Sequence, residues 1–297
     1  MRIIRENCKD FTNACVYTCL FGNYERLNEF PVELKSGISR FCFTDNPDLR
    51  SDTWNIKVVK PAFEMDSARS QRRVKILAHE YLDSQFELSL YTDNTVRLKE
   101  KPEVLFEKYA QNSDMALPYH SHHPTVLDEF IMVAKQGLDE PARIFEQQNH
   151  YQMLERDVLS ERPYWTAILI RFHNRPNVKA AMTDWNNHVC RYSRRDQLSA
   201  NVALSNKDLT LQIIEMDDNC ESAIHKWPIG FRDGEKRGYN ISMSGASQRA
   251  QIRSMQHLLL EARGNIQARD DEIRRLSAEL ESARKSINNF GGAGDLD

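Results

Sequence analysis

Between residues 14 and 173, short apolar runs rich in β-branched and aromatic residues alternate with stretches of helical spacing, and almost every run ends in a polar turn. ACVYTCLFG (14–22) stops at Gly22-Asn23, ISRFCFTDNP (38–47) ends in a turn, and WNIKVVKP (54–61) ends at Pro61. FELSLYTDN (86–94), DMALPYH (114–120) and AILIRFH (167–173) have the same character. Apolar runs bounded by turn formers read as strands. SARSQRRVKILAHEYL (67–82) places Val74, Leu77, Ala78, Tyr81 and Leu82 at helical spacing; PEVLFEKYAQN (102–112) and the region 125–162 also read as helical. Strands alternating with helices predict a mostly parallel sheet covered on both faces. In such sheets ligands bind beyond the carboxyl ends of the strands. Here those ends carry Gly22-Asn23-Tyr24, Thr44-Asp45-Asn46, Thr92-Asp93-Asn94 and His120 to His123. Loops are polar in any protein, but four polar strand ends delivered to one edge form a site-like pattern.

The 297 residues suit one large domain with an appendage, and 40% hydrophobic with 28% charged residues is ordinary globular composition. A formal charge of -3 argues against a nucleic-acid partner held by bulk charge. No apolar run approaches the roughly 18 residues of a membrane span, and the N-terminal MRIIRENCKDFTNAC has no secretory pattern. The expected location is cytoplasmic or peripheral to a membrane. The cysteines Cys8, Cys15, Cys19, Cys42, Cys190 and Cys220 form no CxxC pair, so they read as thiols in a reducing compartment and not as a zinc site.

The pattern changes near Gly245. Ile252, Leu259, Ile266, Ile273, Leu280 and Ile287 recur every seven residues, and Met255, Ala262, Arg269, Leu276 and Ala283 follow three later, with Arg269 the one break. These are a and d positions of a heptad, and isoleucine at a favours a parallel two-stranded coil. The expected organisation is an α/β domain over 1–245, a coiled-coil helix over 246–287 that makes a homodimer, and a disordered glycine-rich tail over 288–297. The plainer alternative is an amphipathic helix packed on its own domain.

Several residues could carry chemistry. Asp93, at the end of a strand, could bind Mg²⁺ or Mn²⁺ through its carboxylate, although an Asp beside an Asn is commonly a turn former. His225, in HKWP, could be a metal ligand, although a lone histidine is more often structural. Arg69, Arg72, Arg73 and Lys75 form a basic helix face, with Arg72 and Lys75 on one side. It could clamp a diphosphate or simply be solvated. In YSRRDQLSANVAL (192–204), Arg194, Arg195, Asp196 and Gln197 precede an apolar segment, as a helix cap or as a polar site. There is no GxxxxGK[ST], GxGxxG or GxSxG.

YTCLFGNYERL, CFTDNPD, Arg72 to Lys75 with ILAHEYL, YTDN, HHP, ILIRFH, the tryptophan of DWNNHV, SRRDQLS and HKWP occur in this order. The ordered set, over about residues 14–230, resembles the glycosyltransferase-like family named in plants after turgor-regulation-defect and mucilage-related proteins. That resemblance implies a GT-A-type, Rossmann-like α/β fold with a mostly parallel mixed sheet. It implies transfer of a hexose from a nucleotide-diphosphate sugar, a UDP sugar, to a glycan or other hydroxyl acceptor. On this likeness Phe21, Gly22, Tyr24 and Asp45 lie by the nucleotide. Arg72, Lys75 and Arg194 face the donor, and Asp93 takes the place of the acidic motif that holds Mn²⁺ or Mg²⁺; a more distant likeness, to glycogenin-like transferases, implies His225 as a late metal ligand. Asp196, Gln197 and Arg195 act at the sugar, and His123 and Trp185 lie in the acceptor or sugar pocket. Where related transferases carry a second acidic residue two beyond the first, this chain has Thr95. An arginine common after the HHP histidine is absent from PTVLDEF. A metal-assisted hydrolase on the same scaffold and a non-catalytic coiled-coil assembly module are the competing readings, since one fold hosts many functions.

Overall fold

A computed structural model describes residues 11–22, 25–154, 156–205, 208–228 and 248–291. The chain divides into two compact units, Met1–Gly245 and Ala246–Asp297.

The first unit is a mixed α/β layer structure. Its strands are β1 (Ala14–Leu20), β2 (Ser39–Thr44), β3 (Asn55–Val58), β4 (Leu88–Thr92), β5 (Arg97–Leu98), β6 (Met115–Pro118), β7 (Ile168–Arg171), β8 (Leu211–Ile214) and β9 (His225–Lys226). Its helices are α1 (Ser67–Ile76), α2 (Ala78–Tyr81), α3 (Pro102–Tyr109), α4 (Val126–Lys135), α5 (Pro141–Tyr151), α6 (Pro176–Arg191) and α7 (Gln197–Leu204). Seven strands form one sheet in the order β3-β2-β1-β4-β7-β6-β8, and β5 and β9 form a separate ribbon. β7 is antiparallel to both neighbours, β4 and β6, and the other pairings in the large sheet are parallel. The carboxyl ends of the other six strands of this sheet therefore share an edge with the amino end of β7.

Alternation along β1 divides its side chains between two cores. Cys15, Tyr17 and Cys19 join Val74 of α1 and Met182, Trp185 and Val189 of α6 on one face. Ala14, Val16 and Leu20 join Leu105, Phe106 and Tyr109 of α3 on the other. Every residue of β1 and β4 is buried, including the polar Thr18, Ser89 and Thr92, as expected of central strands covered on both faces.

The helix expected over 67–82 is interrupted at Leu77, whose ψ of 48° leaves the helical range. The Lys75 carbonyl just before the break accepts hydrogen bonds from side chains, from the Tyr17 hydroxyl at 2.6 Å and from the Arg171 guanidinium. α6, β8 and the β5–β9 ribbon were not expected as elements from the sequence. Cys15, Cys19, Cys42, Cys190 and Cys220 are free thiols.

The second unit is one helix, α8 (Gln248–Gly291), which runs past Ile287, so its end overlaps the tail expected from 288; residues 292–297 lie outside the described residues. Its a positions are more than half exposed, with Ile266 at 59% and Ile273 at 60%. Among the described residues no helix is long and apolar enough to cross a membrane.

A chain ending at Gly245 is expected to stay soluble and to unfold in urea as one cooperative transition. Loss of all soluble protein on that truncation would mean that α8 completes the core.

Candidate functional site

α1 begins at Asp66, whose carboxylate caps the helix by accepting from the Arg69 amide at 3.0 Å. From there Arg72 and Lys75 fall on one helix side and reach the carboxyl edge of the sheet. Lys75, only 1% exposed, has its Nζ 2.6 Å from Asp196 Oδ2 and 3.6 Å from Asp93 Oδ1, and donates to Thr166 Oγ1 at 3.2 Å. Arg72 Nε donates to the other oxygen of Asp196 at 2.8 Å. Thr166 donates to Asp196 Oδ2 at 3.0 Å. Thr166 precedes β7, so the antiparallel direction of that strand is what brings it to this edge. The Asp93 amide donates to the Ala167 carbonyl at 2.8 Å, and the Tyr91 hydroxyl donates to Asp93 Oδ1 at 2.6 Å. Burial works to raise the Asp196 pKa, but the charges of Arg72 and Lys75 outweigh it and hold the carboxyl well below the usual range. Burial, with the Asp93 charge, pushes the Tyr91 phenol up, so it stays protonated and donates.

The first four residues of SRRDQLS link α6 to α7, and its Gln197, Leu198 and Ser199 open α7. Asp196 stands at the N-cap of α7 but makes no side-chain cap hydrogen bond there; its carboxylate is taken by Arg72, Lys75 and Thr166. The simple cap expectation for Asp196 is thus corrected, because two cations compete better for the carboxylate than a backbone amide does. The loop is tied down on its other side by buried Asp139, which accepts from Ser193 Oγ at 2.7 Å and the Arg194 amide at 2.8 Å. Arg194 Nε lies 3.3 Å from the same carboxylate, so this arginine is engaged within the fold. Arg69 donates to the Val189 and Tyr192 carbonyls at 3.1 and 2.8 Å, tying α1 to the start of the loop. Arg195 differs: its buried Nε has no hydrogen-bond partner. Burial pushes its pKa down, while the nearby Glu129, Asp196 and Asp93 carboxylates counter this.

Of the residues expected at the site, Arg72, Lys75, Asp93, Arg195 and Asp196 come together. Gln197 is buried in the first turn of α7. Gly22 and Asp45 meet at the ends of β1 and β2, where the Gly22 amide donates to the two Asp45 oxygens at 3.0 and 3.2 Å. Gly22 has φ of 73° there, a conformation suited to glycine. Phe21 is a core residue, and Tyr24 lies outside the described residues. Trp185 is fully buried and donates from its indole to the Asp196 carbonyl at 2.8 Å. It supports the loop from behind, so the expected place in a sugar pocket is corrected: no ring face reaches solvent. His225 is buried against Trp165, with ring centroids 5.4 Å apart. Its Nε2 donates to the Cys220 carbonyl at 2.9 Å, and Nδ1 bonds the Ser222 hydroxyl at 2.6 Å. Neither nitrogen offers a lone pair to an ion in this arrangement, which corrects the expected metal ligation. Asp93, with its side chain 29% exposed, keeps a carboxylate open to the edge.

A second cluster follows β6. Among the described residues, His120, His123 and Glu129 are the one group of at least three potential ligands whose atoms lie within 4.8 Å of one another. Burial pushes the His120 pKa down to about 4, so the ring is neutral near pH 7. Its Nδ1 accepts from the His122 and His123 amides at 3.1 and 3.3 Å, which places its single proton on Nε2. His123 Nδ1 contacts Glu129 Oε2 directly. Burial works to raise the Glu129 pKa, but this contact with His123 outweighs it and lowers the net value, so the partner is a carboxylate. Thr166, Asp139 and Glu129 were not expected from the sequence; His120 was read only as part of the polar strand end 120–123, and Tyr91 only as part of YTDN. Glu129 left a signal there, as one of two charges inside the apolar helical run VLDEFIMV.

A family model for the TOD1/MUCI70 glycosyltransferase-like domain matches residues 44–224. The apo crystal structure of mouse xyloside xylosyltransferase 1 aligns at 7% identity and a TM-score of 0.39, covering 68% of this chain and 84% of that one. The apo structure of the bifunctional glycosyltransferase WbbM aligns at 9% identity and a TM-score of 0.39, covering 70% of this chain and 40% of that one. Likeness at this level adds nothing to the family match. No curated protein matches the chain in sequence.

Replacing Asp196 by Asn would remove the buried carboxylate that Arg72 and Lys75 share, leaving Lys75 only the more distant Asp93 at 3.6 Å. The expected loss of stability in urea at pH 7 is about 3–5 kcal/mol. Because the folded-state pKa is depressed, this stabilisation is complete above the unfolded pKa and fades as pH falls below it. The gap between wild type and Asp196→Asn should therefore narrow on acidification below about pH 4. Equal stability of the two proteins at pH 7 would contradict the ion-pair reading.

Proposed function

Because the chain belongs to the TOD1/MUCI70 glycosyltransferase-like family, we propose that it transfers a hexose from a UDP sugar to a hydroxyl of a glycan or similar acceptor. The observation that carries this reading is the convergence of Arg72, Lys75 and Arg195 at the carboxyl edge of the sheet, with a buried guanidinium nitrogen of Arg195 left unpaired. Glycosyl transfer from such a donor leaves a diphosphate that gains negative charge as the sugar departs. Fixed cations in a partly desolvated site stabilise that charge without reorganising. Asp196 acts in this reading as a positioning residue: it holds Arg72 and Lys75 in place, and Trp185 and Thr166 hold Asp196. The unpaired Arg195 donor is costly in the free protein and gains a partner when a phosphate oxygen binds. Gly22 and Asp45 border the nucleoside side, and Asp93 and Gln197 border the sugar. A bound Mn²⁺ or Mg²⁺ ion would take Asp93 as its protein ligand and neutralise diphosphate oxygens.

α8 supports a homodimer. Its exposed a positions, Ile252, Leu259, Ile266, Ile273 and Leu280, form an apolar stripe that a second copy would cover. In a parallel pair Glu279 at g faces Arg284 at the next e position of the other copy.

Calorimetry with UDP and a panel of UDP sugars, with and without Mn²⁺, tests the donor site. Wild type is expected to bind, and Arg195→Ala to bind about tenfold or more weakly, as for loss of a charge-assisted hydrogen bond. No binding to wild type under any condition would sink the donor assignment. Sedimentation equilibrium tests the coil: wild type should be dimeric and Ile266→Asp monomeric, and a monomeric wild type would remove the dimer.

A further inference from the structure

The cluster after β6 has no part in holding the donor in the reading above. Its geometry is nonetheless specific. Glu129 lies in the first turn of α4, and Thr125 caps that turn by accepting from the Asp128 amide at 3.2 Å. The buried carboxylate contacts Nδ1 of His123, whose side chain is 15% exposed. The His120 ring stacks on the His123 ring with centroids 4.3 Å apart and planes at 4°. His120 is itself fixed by the two backbone amides that donate to its Nδ1, and Arg162 donates to its carbonyl at 3.2 Å. His123 is therefore held on one edge by a carboxylate and on one face by a second imidazole.

A carboxylate accepting from Nδ1–H sets the tautomer of an imidazole and leaves the lone pair on Nε2. His120 is in the opposite tautomer, with its Nε2 protonated, so it cannot be the second ligand of an ion that His123 binds. The cluster thus has the hydrogen bonding of an oriented base and not of a three-ligand metal centre. Arg195 links it to the donor side, since its charge acts on Glu129 as well as on Asp196 and Asp93.

We propose that His123, oriented by Glu129, is the general base that activates the acceptor hydroxyl. This inference rests on the glycosyl-transfer reading. His123 Nε2 takes the proton of the acceptor hydroxyl as its oxygen bonds to the anomeric carbon. The bond from that carbon to the diphosphate oxygen breaks, and its electron pair leaves with the UDP, facing Arg72, Lys75 and Arg195. The proton passes from the imidazolium to solvent after product leaves. Glu129 and His120 are positioning residues, since they act through His123. The titratable and charged groups around His123 are His120 and His122 on its own loop, Glu129 on α4, Arg162 before β7 and Arg195 between α6 and α7.

Two measurements test this. In ¹⁵N-histidine NMR spectra, His123 of the wild-type protein should show a protonated Nδ1 and an unprotonated Nε2 above pH 7, and Glu129→Gln should erase that preference. The opposite tautomer in wild type, or stoichiometric Zn²⁺ binding that shifts both His120 and His123, would overturn the proposal. The second measurement is UDP release from the UDP sugar that binds best, with water and simple glycosides as acceptors. His123→Gln should lower turnover by about 10²–10⁴-fold and leave UDP affinity unchanged. Unimpaired turnover in His123→Gln, with UDP still bound, would sink the base and spare the transferase reading. Failure of wild type to bind UDP would sink the transferase reading itself, and with it the base.

Discussion

The carboxyl edge of this sheet depends on one buried ion pair, Lys75 with Asp196. Taking both charges out of water costs several kcal/mol per ion after relaxation, and such pairs seldom add net stability. What the pair supplies is geometry. It joins α1 to the loop between α6 and α7, elements far apart in the chain, and draws in Arg72, Thr166 and Asp93. The arrangement around it is well satisfied: Asp196 has three partners on its carboxylate and the Trp185 indole on its carbonyl. The Lys75 carbonyl is held by Tyr17 and Arg171. Lys75 is thus restrained at its backbone and at its ammonium, which keeps a cation fixed where a flexible surface lysine would wander.

The same restraint explains how two clusters share one edge. The Asp196 cluster is built from α1, the end of β4, the start of β7 and the α6–α7 loop. The His123 cluster is built from the loop after β6 and the first turn of α4. β6 and β4 both flank β7 and run in the same direction, so their carboxyl ends emerge on either side of its amino end. Arg195 is the side chain whose charge reaches both. A donor held on one side and a base on the other would place a sugar between them, which fits catalysis by fixed positioning.

Much of this was legible in the sequence because the information is local. The apolar runs of the strands, the helical spacing of 67–82 and the apolar spacing after residue 252 depend on near neighbours; strands and helices lie close to these segments, with the first helix broken at Leu77. The polar strand ends lie along one edge of the sheet, and the unusual charges of SRRDQLS fall in the loop that carries Asp196 and Arg195. The assignment of His225 to a metal shows the limit. Its residue type fitted, but Ser222 and the Cys220 carbonyl occupy both nitrogens, and nothing in HKWP announces them.

By itself, then, the sequence determined most of the strands and helices and their order, the polar strand ends and the helical spacing after Gly245. Tertiary structure alone decided the direction of β7, which brings Thr166 to the site, and the interruption of the helix at Leu77. It also decided that Asp196 binds cations and does not cap a helix, that Trp185 is a support, and that His123 rests on Glu129. The reason is physical: hydrophobic period is a property of neighbouring residues, whereas strand direction, the pairing of buried charges and the tautomer of a histidine are set by groups that meet only when distant segments pack.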